Sequence, residues 1–188
     1  MGRLAVFNSV TLDGYFTGEN GDLSWAYEGG DDPEFAAYTR SNARGGGALV
    51  LGRVTHDMMK SFWPTDAARQ TMPEIAAAMN RYDKIVFSRT LDHSDWENTR
   101  VVNNDPVDEI RRIKLEDGRD LTILGSGSIV AQLAGAGLID TFQFVVCPVA
   151  LGAGRTLFEG LTNRVPLKLI GSRAFANGKI VADYELAR

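Results

Sequence analysis

Short apolar runs, separated by turn-forming residues and by stretches of helical periodicity, organise this chain. Leu4-Ala-Val-Phe7, Ala48-Leu-Val-Leu51, Lys84-Ile-Val-Phe87 and Leu121-Thr-Ile-Leu124 read as strands, Ala48-Leu-Val-Leu51 as a short buried one. Thr99 to Val102 is a weaker strand, and Thr141 to Val146 a further one. Helical segments lie between them. Pro33 to Arg44 is expected as a helix, with Asp32 as N-cap, Pro33 in the first helical position and Gly45-Gly-Gly47 as its stop. Gly52-Arg-Val-Thr55 turns into a second helix, and Met72 to Tyr82 is a third. Asp105-Pro106 starts a fourth, in which Val107, Ile110 and Ile113 share a face and Gly118 ends the run. Ile129, Val130 and Leu133 mark a fifth, directly after Leu124. The chain closes with Leu167 to Phe175 and Lys179 to Leu186 around Ala176-Asn177-Gly178, the signature of an antiparallel hairpin. Strands and helices alternate and then strands follow one another, which predicts an α/β fold: a mostly parallel central sheet, flanking helices and an antiparallel edge.

Composition narrows this picture. A chain of 188 residues fits one domain over 1–188, without linker, repeat or low-complexity stretch. The net charge of −4 is spread along the chain and no basic tract occurs, which argues against a nucleic-acid partner. No apolar run is long enough to span a bilayer and no signal-peptide pattern opens the chain, so a cytoplasmic protein with no membrane partner is expected. Cys147 is the only cysteine and sits in an apolar run; His56 and His93 have no metal-ligand neighbours at useful spacing. No metal is expected.

The richest chemistry lies at strand ends. After Leu124, Gly125-Ser126-Gly127-Ser128-Ile129 joins a strand to a helix, a geometry in which backbone N–H groups and the positive end of the helix dipole can seat a phosphate. It is not the Gly-x-Gly-x-x-Gly fingerprint, because Val130 stands at the last glycine. Two other strand ends carry ligand-type residues: Gly52-Arg53-Val54-Thr55 and Ser88-Arg89-Thr90. Ligands of open α/β sheets sit beyond the carboxyl ends of parallel strands, so all three could line one crevice. Arg53 and Arg89 could grip a ribose-bound phosphate, which favours NADPH over NADH.

Four motifs in this order resemble the dihydrofolate reductase superfamily, and more closely the reductase domain of the bacterial riboflavin-biosynthesis deaminase–reductase and its stand-alone relatives. They are Ser9-Val-Thr-Leu-Asp13-Gly14-Tyr-Phe-Thr-Gly18, Leu51-Gly52-Arg53-Val-Thr55, Ile123-Leu-Gly-Ser-Gly-Ser128 and Pro148-Val-Ala-Leu-Gly152-Ala-Gly154-Arg155-Thr-Leu-Phe158. The resemblance covers nearly the whole chain. It implies a mixed sheet of strands flanked by helices, NADPH as cofactor, hydride transfer to a heterocyclic or sugar-linked C=N or C=O group in pterin, folate or riboflavin-precursor chemistry, and a homodimer. It implies that Gly52, Arg53 and Thr55 meet the phosphates and adenosine side, and that Ser88 and Arg89 line the adenosine ribose and its phosphate. Gly125, Ser126, Gly127, Ser128 and Ile129 would surround the pyrophosphate, and Phe16 and Thr17 would border the nicotinamide. Two departures stand out: the zinc-deaminase pattern is missing, and Tyr15 stands where the riboflavin reductases carry Lys.

Hydride transfer to C=N or C=O leaves negative charge on the heteroatom, so a proton source helps. Glu34 is the candidate acid, with Phe35 and Tyr38 as the apolar walls that would raise its pKa; a bound water is the alternative. Trp25, Phe35 and Tyr38 are candidate substrate-pocket residues. Without one clear proton donor, a second function class stays open, a non-catalytic module binding NADPH or a flavin.

Overall fold

At the centre of the architecture is β1 (Leu4–Thr11), whose even positions Leu4 and Val6 are fully buried. In the computed structural model, residues 2–43, 47–116 and 118–187 are described. β1 pairs in parallel with β6 (Leu121–Leu124) on one side and β7 (Thr141–Cys147) on the other. Beyond β6 come β3 (Ala48–Gly52), β4 (Asp83–Phe87) and β5 (Thr99–Val102), all parallel. Beyond β7 come β10 (Ile180–Leu186) and β9 (Leu167–Ala174), both antiparallel to their neighbours. The sheet order among the described residues is β5-β4-β3-β6-β1-β7-β10-β9. It is the parallel sheet with an antiparallel edge that the apolar pattern predicts.

The four-residue run of β3 is buried throughout because helices cover both faces of that part of the sheet. Those helices are α2 (Arg53–Phe62), α4 (Pro73–Arg81), α5 (Pro106–Glu116) and α6 (Gly127–Gly135). Ile110 and Ile113 of α5 and Val130 and Leu133 of α6 enter the main core with Leu4, Val6, Val50, Ile123 and Phe142. A second core on the other face gathers Leu49, Leu51, Val86, Trp63, Met79 and Trp96. A third cluster, Trp25, Val145, Cys147, Phe175 and Val181, lies under α1 (Pro33–Asn42), which contributes Phe35 and Tyr38 without burying any residue completely.

Several elements depart from the sequence reading. α1 ends at Asn42; the rest of the expected helix end, Arg44, Gly45 and Gly46, lies outside the described residues. α3 (Asp66–Thr71) is an additional short helix, started by the Thr65 hydroxyl accepting from the Ala68 N–H at 3.2 Å. Inside the first and last of the four quoted motifs, β2 (Tyr15–Thr17) pairs with β8 (Arg155–Thr156), two short strands that the sequence reading does not include. No helix among the described residues is long and apolar enough to cross a membrane.

Candidate functional site

β4, β3 and β6 are consecutive parallel strands, so the three ligand-type strand ends fall side by side on one edge. The ends of β3 and β6 are also bonded to each other. The Gly52 N–H donates to Ser126 Oγ at 2.8 Å, and the Ser126 N–H donates to Thr55 Oγ1 at 3.2 Å. Ser126 Oγ also lies 3.0 Å from Thr55 Oγ1 and 3.0 Å from the Leu124 carbonyl. One proton assignment satisfies the set: Ser126 donates to Leu124, and Thr55 donates to Ser126. Ser126 takes a left-handed conformation, φ 60°, as does Gly125, φ 56°. A Cβ at Gly125 would meet Thr55 Oγ1 at 2.9 Å, so only glycine fits.

Two further contacts hold the turn. Asn8, buried on β1, accepts from the Gly125 N–H at 2.8 Å and donates to the Gly125 carbonyl at 3.3 Å. The buried ring of Phe16 lies over Gly127, where a Cβ would come within 2.9 Å of it. What this framework leaves outward is backbone. Helical geometry gives the first-turn N–H groups of α2 (Arg53, Val54, Thr55) and of α6 (Gly127, Ser128) no intrahelical acceptor. Two positive helix ends thus sit next to each other.

The expected ligand residues divide accordingly. Thr55 and Ser126, expected to reach the phosphates and pyrophosphate, spend their hydroxyls on each other, and the Ser126 N–H is spent on Thr55 Oγ1, which leaves the Thr55 N–H and the backbone of Gly127 and Ser128 for a ligand. Ser88 is likewise engaged, its hydroxyl accepting from the Thr90 and Leu91 N–H groups at 3.1 and 2.9 Å. Arg53 forms an ion pair with Asp57 at 2.9 Å one helical turn along. Arg89 is exposed and makes no ion pair among the described residues. Val54 is exposed at the start of α2, and Ile129 is buried in the core. The hydroxyl of Thr17 is buried without a hydrogen-bond partner, at a position expected to border the nicotinamide. An unpartnered buried hydroxyl and two rows of outward N–H groups fit a nicotinamide dinucleotide.

The opposite side of β1 carries the aromatic residues. Trp25 is buried and its indole N–H donates to the Asp22 carbonyl at 3.1 Å. Phe35 and Tyr38 stack at 6.1 Å between centroids and meet Phe175 at 5.2 and 5.6 Å. The Tyr38 hydroxyl is buried without a partner; burial, and then the nearby Asp183 carboxylate, push its pKa up to about 12, so it stays protonated. Asp32 is the N-cap the sequence predicts, accepting from the Glu34 and Phe35 N–H groups at 2.9 Å each. Its other oxygen accepts from the Asn177 N–H at 3.1 Å, which ties α1 to the β9–β10 turn. These bonds, led by the one from Phe35, hold its carboxyl below the usual range.

Glu34 is a correction. The expected role needs a carboxyl buried between apolar walls, but the side chain is 60% exposed and pairs with the guanidinium of Arg173 on β9. Position 34 points out of the helix, while 35 and 38, one turn apart, point in. Sequence reasoning also misses two residues. Asn8 is one. Asp13 is the other: it accepts from the Leu151 and Gly152 N–H groups at 3.0 and 2.7 Å, binding the loop after β1 to the loop after β7. The Thr11 hydroxyl and the Gly152 N–H hold its carboxyl below the usual range. A polar residue in an apolar strand run, Asn8, was the available signal.

Comparison with known proteins bears on the family and the fold. Residues 3–181 match the RibD C-terminal domain family. YyaP of Bacillus subtilis strain 168 is 28% identical over 182 residues, 97% of this chain and 94% of YyaP. The structure of a diaminohydroxyphosphoribosylaminopyrimidine deaminase/5-amino-6-(5-phosphoribosylamino)uracil reductase from Thermotoga maritima superposes with a TM-score of 0.69 at 15% identity. That match covers 99% of this chain and 57% of the Thermotoga protein. Dihydrofolate reductase from Enterococcus faecalis, complexed with NADP(H), superposes with a TM-score of 0.66 at 17% identity, covering 100% and 98% of the two chains.

Proposed function

The chain belongs to the RibD C-terminal domain family, and from that premise we propose that it is an NADPH-dependent reductase acting on a small heterocyclic or sugar-linked C=N or C=O group. The observation that carries the reading is the bonded junction of β3 and β6, which sets two helix N-termini side by side at the carboxyl edge of the sheet. The N–H groups of Gly127 and Ser128 face the pyrophosphate. The first turn of α2 faces the adenosine-side phosphate, with Arg89 as its free guanidinium. Thr17 offers its buried hydroxyl to the carboxamide of the nicotinamide. When bound, the dinucleotide supplies a hydride. The chain's own residues orient it, and the aromatic cluster under α1 takes the acceptor. With Glu34 exposed, water delivers the proton.

The reading is tested by following the absorbance of reduced nicotinamide with pyrimidine and pterin acceptors. Oxidation that depends on the acceptor supports a reductase. Tight NADPH binding with no oxidation by any acceptor favours the second reading, a non-catalytic binding module, which the absence of a buried carboxyl at Glu34 keeps open.

A homodimer belongs to the same proposal. Edge strand β9 presents unpaired ladder groups together with the exposed side chains of Leu169 and Ile170. A second copy pairing there would cover them; a monomer by light scattering at micromolar concentration contradicts it.

A further inference from the structure

Three lysines of this chain are buried, and their ammonium groups are treated very differently. Lys84, 1% exposed, donates to the carbonyls of Asn80, Tyr82 and Glu97 at 3.2, 2.6 and 3.0 Å and lies over the Trp96 ring. Lys114, 6% exposed, pairs with Asp140 at 2.6 Å and donates to the Leu138 carbonyl at 2.8 Å. Lys179, 4% exposed, has a single hydrogen-bond acceptor among the described residues, the Ala26 carbonyl at 2.7 Å, and the face of Phe35 at 4.9 Å. Among the described residues no carboxylate lies within ion-pair distance of it. A buried ammonium has three N–H donors and a large desolvation cost, and proteins normally pair it. Lys179 is the exception, and its exception falls in the aromatic cluster.

Its position is specific. Lys179 follows the hairpin turn, one residue before Ile180, which pairs with Val146 near the carboxyl end of β7. β7 lies beside β1 with Cys147 opposite Thr11, so Lys179 stands at the same edge of the sheet as the proposed cofactor seat, on its far side. Gly29, at positive φ, lies beside the Lys179 stem, where a Cβ would come within 3.8 Å of Lys179 Cε, and α1 behind Phe35 buries no residue completely. The same cluster holds the Tyr38 hydroxyl, which has no acceptor at all. A buried ammonium with N–H donors to spare, lying over an aromatic face, suits a ligand that is flat and rich in acceptors.

We infer that Lys179 is the substrate-recognition cation of this site, its ammonium donating to a carbonyl oxygen or ring nitrogen of a flat heterocycle seated against Phe35. A neutral aromatic hydrocarbon would leave the ammonium as it is. A pteridine- or pyrimidine-dione gives it a charge-assisted hydrogen bond. The inference rests on the reductase reading for the cluster being the substrate side, and it adds the residue that selects the substrate's polar edge.

The test uses lumazine, a pteridinedione, as probe. Calorimetric titration of the full chain with lumazine is expected to show binding that Lys179→Met weakens about tenfold or more, with NADPH affinity unchanged. Because the methionine variant also loses the bond to Ala26, a second measurement uses the unaltered protein labelled with carbon-13 in lysine. Saturating lumazine should move the Lys179 Cε resonance and leave Lys84 and Lys114 in place. Absence of lumazine binding, equal affinity in a folded variant, or a stationary Lys179 resonance overturns the inference. If lumazine moves Lys179 while NADPH binds to neither protein, the recognition site stands and the reductase reading falls. If NADPH binds and drives turnover while Lys179 stays still, the reverse holds.

Discussion

The glycine turn after β6 and the aromatic cluster under α1 flank the same central strand and are built by opposite means. At the turn, the side chains of Asn8, Thr55 and Ser126 all bond within the protein, and Gly125 and Gly127 let Thr55 and Phe16 approach to contact distance. Under α1, Tyr38 has no partner, Lys179 has one acceptor, and the helix covering them buries nothing completely. A dinucleotide keeps the same phosphates in every turnover, so a rigid cradle of backbone donors loses little entropy on binding it. An acceptor that must enter and leave is better met by side chains whose hydrogen bonds are still to be made. Under the proposed function, the contrast suits the cofactor to the first region and the substrate to the second.

The largest effect should come from crowding the rigid side. Gly125→Val places a branched side chain at positive φ against Thr55 and is expected to destabilise the fold by about 3 kcal/mol, read from the denaturant midpoint. Ser126→Ala follows: it strips acceptors from the Gly52 N–H and the Thr55 hydroxyl, for a loss of about 2 kcal/mol and weaker NADPH binding. If either variant were as stable as the parent, the junction would not be the rigid element described here.

The loose side should respond to acid. Hydrogen bonds from Phe35, Asn177 and Glu34 hold the Asp32 carboxylate below its ordinary range. The stabilisation it supplies is therefore complete above about pH 4 and is lost as pH falls through the lowered folded-state value. Protection of the Asn177 amide from hydrogen exchange should decline over that window, and Asp32→Asn should flatten the decline. The smallest effect belongs to Glu34→Gln. An exposed pair with Arg173 contributes little, so the midpoint should stay within error and the pH profile of turnover should not move. A lost acid limb in that profile would restore Glu34 as the proton donor.

The same contrast explains how much of the molecule was legible in its sequence. Buried strands advertise themselves as unbroken apolar runs such as Ala48 to Leu51, and the glycine turn shows because glycine readily takes its backbone angles. The Asn177-Gly178 turn marked the hairpin for the same reason. Burial of a polar side chain leaves no such mark. Glu34 and Tyr38 occupy one helix, and which of them faces the sheet depends on a packing that the weakly amphipathic α1 does not spell out. Asn8, Asp13 and Lys179 find their partners 117, 138 and 153 residues away, distances over which local pattern carries no information. β2 and β8 were hidden because each is too short for alternation to register.

The central claim is that two bonded helix ends cradle one phosphorylated dinucleotide, and calorimetry with NADPH and NADH tests it most directly. The account predicts one NADPH per chain, weaker binding of NADH, and a loss of about tenfold in NADPH affinity for Arg89→Ala, with a smaller loss for the already paired Arg53→Ala. No heat of binding with either coenzyme would contradict it.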